Sequence, residues 1–233
     1  MTQLKTMVKW ELILQSRYKI IHLSIASVVL YFLALKTIPF INTEYFRTVF
    51  LFLDPALIGI MFVGALVLFE KTENTLQALT VTPMETRNYF LAKIISLTAL
   101  SIIAALLFLF LSHGFAFNYL YMFLGIILTS VFLILLGFIL VSRCSSLNEY
   151  LLTMLCSFLI LFIPPMLHVS GLYENVIFYL WPSQASFFLL KGVFSEIALW
   201  ETIYSVVYLT LWTTLCYYLA KKAFYKHIIM GGK

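Results

Sequence analysis

The chain has 233 residues, of which 63% are hydrophobic and 11% charged, with a formal net charge of +5. A water-soluble domain carries roughly 45–50% apolar and about 25% charged residues, so this chain lacks the polar groups to cover a surface in water, and its solvent must be largely lipid. The positive charges form no aromatic-interleaved patch, which argues against a nucleic-acid partner, and Cys144, Cys156 and Cys216 have neither metal-ligand spacing nor the pattern of a disulfide framework.

Residues 3–19, QLKTMVKWELILQSRYK, read as a helix lying on the membrane, and 1–19 is assigned to it. At about 100° per residue, Leu4, Met7, Val8, Trp10, Leu14 and Tyr18 share one face, with Lys5, Lys9 and Ser16 opposite. This is the pattern of an interfacial amphipathic helix. Glu11 falls on the apolar face, where a lone carboxylate is costly. It is expected to reach water at the interface; the alternative is a pairing with a basic residue of another cytoplasmic segment. The apolar run that follows is longer than a signal-peptide core and has no small-x-small cleavage site, so it is expected to stay as an anchor.

Six spans follow, at about Ile20–Leu35, Phe50–Phe69, Ile94–Leu111, Tyr119–Val141, Tyr150–Leu167 and Thr202–Ala220. Each approaches the roughly 20 residues needed to cross a hydrocarbon core of about 30 Å. Asp54-Pro55 is placed near the outer end of the second span and read as a helix N-cap followed by proline at the first helical position, ahead of a place on a substrate path. Pro164-Pro165 reads as a terminator of the fifth span. The segment 168–201 is expected to hold short broken or re-entrant outer helices, interrupted at Trp181-Pro182-Ser183. With the N-terminus in the cytoplasm, twelve of the fifteen Lys and Arg lie inside, leaving only Lys36, Arg47 and Lys191 outside. The positive-inside bias therefore predicts a multi-pass cell-membrane protein with both termini cytoplasmic.

No phosphate-binding GxxxxGK[ST] loop, HExxH or GxSxG occurs. The chain is thus expected to have no catalytic residues, no metal site and no ATP site of its own. The centres of the spans read as free of charge, which argues against a stand-alone secondary transporter or intramembrane enzyme. A sensor that binds a cytosolic partner without transport is a third reading.

The longest polar interruption on the cytoplasmic side, residues 70–93, reads EKTENTLQALTVTPMETRNYFLAK. It resembles the cytoplasmic signature of type-2 ABC transporter permeases, carried by Glu70, Lys71, Glu73, Thr75, Leu76, Leu79, Thr82, Pro83, Tyr89 and Lys93. Asn74 stands where that family has glycine, whose left-handed backbone conformation Asn can share. The resemblance implies an all-α membrane domain of six spans, preceded by an interfacial helix. It also implies that Glu70, Glu73, Thr75, Leu76, Leu79, Thr82 and Pro83 form a coupling helix for a cytoplasmic ABC ATPase subunit, which would hold the ATP and Mg. A second permease copy, as homodimer or related heterodimer, would complete a prokaryotic exporter of an amphipathic or apolar drug, antibiotic, peptide or lipid-like molecule. Leu76 and Leu79, three apart, fit a groove-docking face; seating on the membrane surface is the alternative on spacing alone.

Overall fold

The computed structural model describes residues 2–73, 75, 86–171 and 175–226, and every regular element among them is helical. The elements are α1 (Thr2–Arg17), α2 (Ile20–Thr37), α3 (Glu44–Ala56), α4 (Val63–Thr72), α5 (Thr86–Ser112), α6 (Tyr119–Val141), α7 (Leu147–Val169), α8 (Pro182–Lys191) and α9 (Leu199–Phe224). A π-helical segment, Leu57–Phe62, joins α3 to α4, so Glu44–Thr72 is one continuous span of 29 residues. Among the described residues that run and α2, α5, α6, α7 and α9 are the six helices long and apolar enough to cross a membrane. Short 3₁₀ turns at Pro39–Ile41 and Val176–Leu180 lie between spans.

The helix ends follow from local chemistry. Lys19, with φ of 57°, is the only non-glycine residue with positive φ among those described. It swings the chain from α1 into α2 at a local cost of about 1–2 kcal/mol. The α6 boundaries coincide with the span read from the sequence, because Asn118 accepts hydrogen bonds from the backbone N–H groups of Leu120 and Tyr121.

The second span departs from expectation. Its cap is Thr43, whose hydroxyl accepts from Phe46 N, so the helix starts six residues before Phe50. Asp54 and Pro55 therefore lie inside the span, and Asp54 caps nothing. Proline has no N–H to give the carbonyl one turn back, and the π-helical turn follows directly, as such a disruption allows. Within that turn the Tyr150 hydroxyl donates to the Ile60 carbonyl. The Tyr150 ring fills the space over Gly64, where a Cβ would sit 2.0 Å from Cζ.

Pro164 and Pro165 do not end α7, which continues to Val169. A proline frees the carbonyl of residue i−4, here Ile160 and Leu161. Both are satisfied from outside the helix, by Trp181 Nε1 at 2.8 Å and by the Ser183 hydroxyl. The same two donors fix the start of α8, a helix buried from Pro182 to Leu190 and packed against α6, α9 and α3. Burial is uneven: in the second span 78% of the membrane-length window is inside the protein, against 11% in α7. The second span is the core on which the others pack, whereas α7 needs lipid or another chain to cover it.

Candidate functional site

The polar residues of α1 and of the start of α5 carry the same spacing. Glu11, Gln15 and Tyr18 stand at i, i+4 and i+7, and so do Tyr89, Lys93 and Ser96. Residues so spaced lie along one face of a helix, and the two stripes face each other. Lys93 Nζ lies 2.8 and 3.0 Å from the two Glu11 carboxylate oxygens and 2.5 Å from Glu70 Oε1. The Tyr89 hydroxyl donates to Glu70 Oε2 at 2.6 Å, and one turn along Gln15 Nε2 donates to Ser96 Oγ at 2.9 Å.

This cluster sits in the interior. Lys93 is 0% exposed, Glu11 5% and Glu70 6%. An ammonium has three donors, and all three are used. Both oxygens of Glu70 and both of Glu11 accept. Two carboxylates around one ammonium leave one excess negative charge. Burial pushes the Glu11 carboxyl above its usual 4.5; Lys93 pulls it back down and Glu70 adds to the rise. A desolvated network of this kind is expensive to break from one side, so the end of α4, the start of α5 and the middle of α1 are held as one body.

The base of the 70–93 segment is tied down further. The Tyr18 hydroxyl donates to Glu73 Oε1 at 2.7 Å, and burial, then Glu73, raises the Tyr18 pKa, which keeps it a donor. Thr75 Oγ1 donates to the Glu70 carbonyl at 2.9 Å, closing the end of α4. Lys71 Nζ reaches the Cys144 carbonyl at 3.4 Å. Leu76, Leu79, Thr82 and Pro83 lie outside the described residues.

Glu11, expected to reach water, is instead buried against Lys93. The helix turns Glu11 and Gln15 inward because Lys93 and Ser96 satisfy them there. Trp10 faces outward, 60% exposed, with Leu12 and Ile13, and so do Lys5 and Lys9. Both carboxylate oxygens of Glu70 are engaged within the chain, by Lys93 and Tyr89. Asp54 lies in neither group: it is in the membrane interior, next to α2. Gln15, Tyr18 and Ser96 were missed from sequence; the repeated i, i+4, i+7 polar stripe in two apolar helices was the available signal.

A model of the fluoroquinolones export permease protein family matches residues 2–231. Two curated relatives are fluoroquinolones export permease proteins of Mycobacterium tuberculosis, strains CDC 1551 / Oshkosh and ATCC 25618 / H37Rv. Each is 33% identical over 210 residues, covering 89% of this chain and 89% of the relative. No solved structure matches the chain.

Proposed function

Because the chain belongs to the fluoroquinolones export permease protein family, we propose that it is the membrane subunit of an ATP-driven ABC exporter whose ATPase is a separate cytoplasmic chain. At the coarser level it is a multi-pass cell-membrane export permease of all-α architecture. Fluoroquinolones, named for the relatives, carry over as the first substrates to try within a wider class of amphipathic or apolar antibiotics, drugs, peptides or lipid-like molecules. ATP and Mg belong to the partner. A second permease copy, identical or related, completes the pathway, and both termini are cytoplasmic.

The observation that supports coupling most directly is the Glu11–Lys93–Glu70 cluster. It joins the N-terminal helix to both helices that flank the 70–93 segment. A push on Leu76 and Leu79 would therefore move α1, α4 and α5 as one rigid body, the kind of movement that switches a transport pathway. Trp10, Lys5 and Lys9, on the outward side of α1, suit a helix resting at the membrane surface.

The test is co-purification of the full chain with the ABC ATPase encoded beside its gene, repeated with Leu76→Asp plus Leu79→Asp. A stoichiometric ATPase in wild type, lost from an equally well expressed double variant, is the expected result. A wild-type chain that binds no ATPase overturns the proposal. A stand-alone secondary transporter would then gain, and it has one observation in its favour: the buried Asp54 inside the second span.

A further inference from the structure

Asp54 is 1% exposed and ten residues into the second span, about 15 Å from the helix start at 1.5 Å per residue. Its environment gives it little. The Ser27 hydroxyl donates to Oδ1 at 3.2 Å while also reaching the Ser24 carbonyl at 2.8 Å. Among the described residues Oδ2 has no hydrogen-bond partner, and neither has the buried Ser24 Oγ, one turn along the same face of α2. Among the described residues no cation pairs with Asp54; the two ion pairs both belong to Lys93.

A carboxylate in this position is costly unless a counter-charge arrives. The oxygens of Asp54, Ser27 and Ser24 present acceptors with too few donors, which is the complement of an ammonium group, all donors and no acceptor. Tyr31 stands one turn beyond Ser27 on the same face of α2. Its ring stacks on Phe50 with centroids 4.9 Å apart and planes 6° from parallel, and Phe108 packs edge-on against Phe50. A stacked aromatic layer one turn from a bare carboxylate suits a molecule with a flat ring system and a basic nitrogen. Pro55 and the π-helical turn beyond it interrupt the regular helix beside Asp54, which gives this part of the span a place to bend.

We infer that the seam between α2 and α3 is a subsite for aromatic compounds carrying a protonated amine, with Asp54 as the counter-charge, the Ser27 and Ser24 oxygens as further acceptors and Tyr31–Phe50 as the ring platform. The inference rests on the export reading, since it names the substrate chemistry of that pathway. It is tested by fluorescence binding to the purified full-length chain in detergent. One probe is a fluoroquinolone with a free basic piperazine nitrogen; the other is the same molecule acetylated on that nitrogen. Wild type is expected to prefer the basic probe by about tenfold, or about 1.4 kcal/mol. Asp54→Asn, close in shape and checked for monodisperse elution, abolishes the preference, and Asp54→Glu retains it. Equal binding of both probes to wild type, or a preference that survives Asp54→Asn, overturns the inference. Neither result touches ATPase co-purification, so the coupling proposal stands or falls separately.

Discussion

Glu70 and Asp54 lie on the same span and are both buried, yet they are treated in opposite ways. Glu70 has both oxygens occupied, by Lys93 and Tyr89. Asp54 has one shared hydroxyl and a bare oxygen. Where a buried charge is fully partnered, the protein has spent it on holding elements together. A buried charge left short of donors is a cost to the fold, and costs of that kind persist at sites that act on something else. One end of the span is thus a joint, and its interior holds a carboxylate short of donors.

The comparison breaks most sharply at Lys93. Lys93→Met leaves two buried carboxylates facing each other, and removing one partner of a buried pair costs about 3–5 kcal/mol. The expected outcome is loss of monodisperse protein, or a large drop in unfolding temperature in detergent. Glu70→Gln comes next, at about 2–3 kcal/mol, because Lys93 and Tyr89 both lose an ionised acceptor. Glu11→Gln costs less than Glu70→Gln: either variant leaves Lys93 in a one-to-one pair, but only Glu70→Gln also takes the ionised acceptor from Tyr89; thermal unfolding of the two variants side by side checks the order. Asp54→Asn is expected to leave the unfolding temperature unchanged or raise it, as a poorly paired buried charge is removed. A drop as large as that of Glu70→Gln would erase the distinction between the two sites. The smallest loss of stability is at Tyr18→Phe, which gives up a single exposed hydrogen bond to Glu73, about 0.5 kcal/mol.

The six spans were legible because a bilayer demands long apolar helices whatever packs on them. Their ends were less so. The second span was read too short because Thr43, Glu44 and Arg47 look like loop residues, while Asp54-Pro55 looks like a helix start; only the cap geometry at Thr43 separates the two. Pro164-Pro165 looks like a terminator because a sequence does not reveal that Trp181 and Ser183 will supply the missing donors. Glu11 was misjudged for the same reason. Its partner is 82 residues away, and periodicity reports a helix's faces but not what each face meets. Tyr89 and Lys93 were visible as signature positions, without the geometry that explains them.

That separation also bears on how the protein is made. Glu11 leaves the ribosome first and Glu70 later, both before the residue that pairs with them. Until Lys93 follows, α1 and the second span each carry an acidic group with no ammonium to receive it, and α1 lacks the face of α5 on which it packs. The N-terminal helix should therefore remain accessible to proteases and chemical labels in nascent chains truncated before Lys93, and become protected only once the third span has entered the bilayer. Biogenesis of this permease would proceed through a three-span unit, with the ammonium of Lys93 as the signal that the unit is complete.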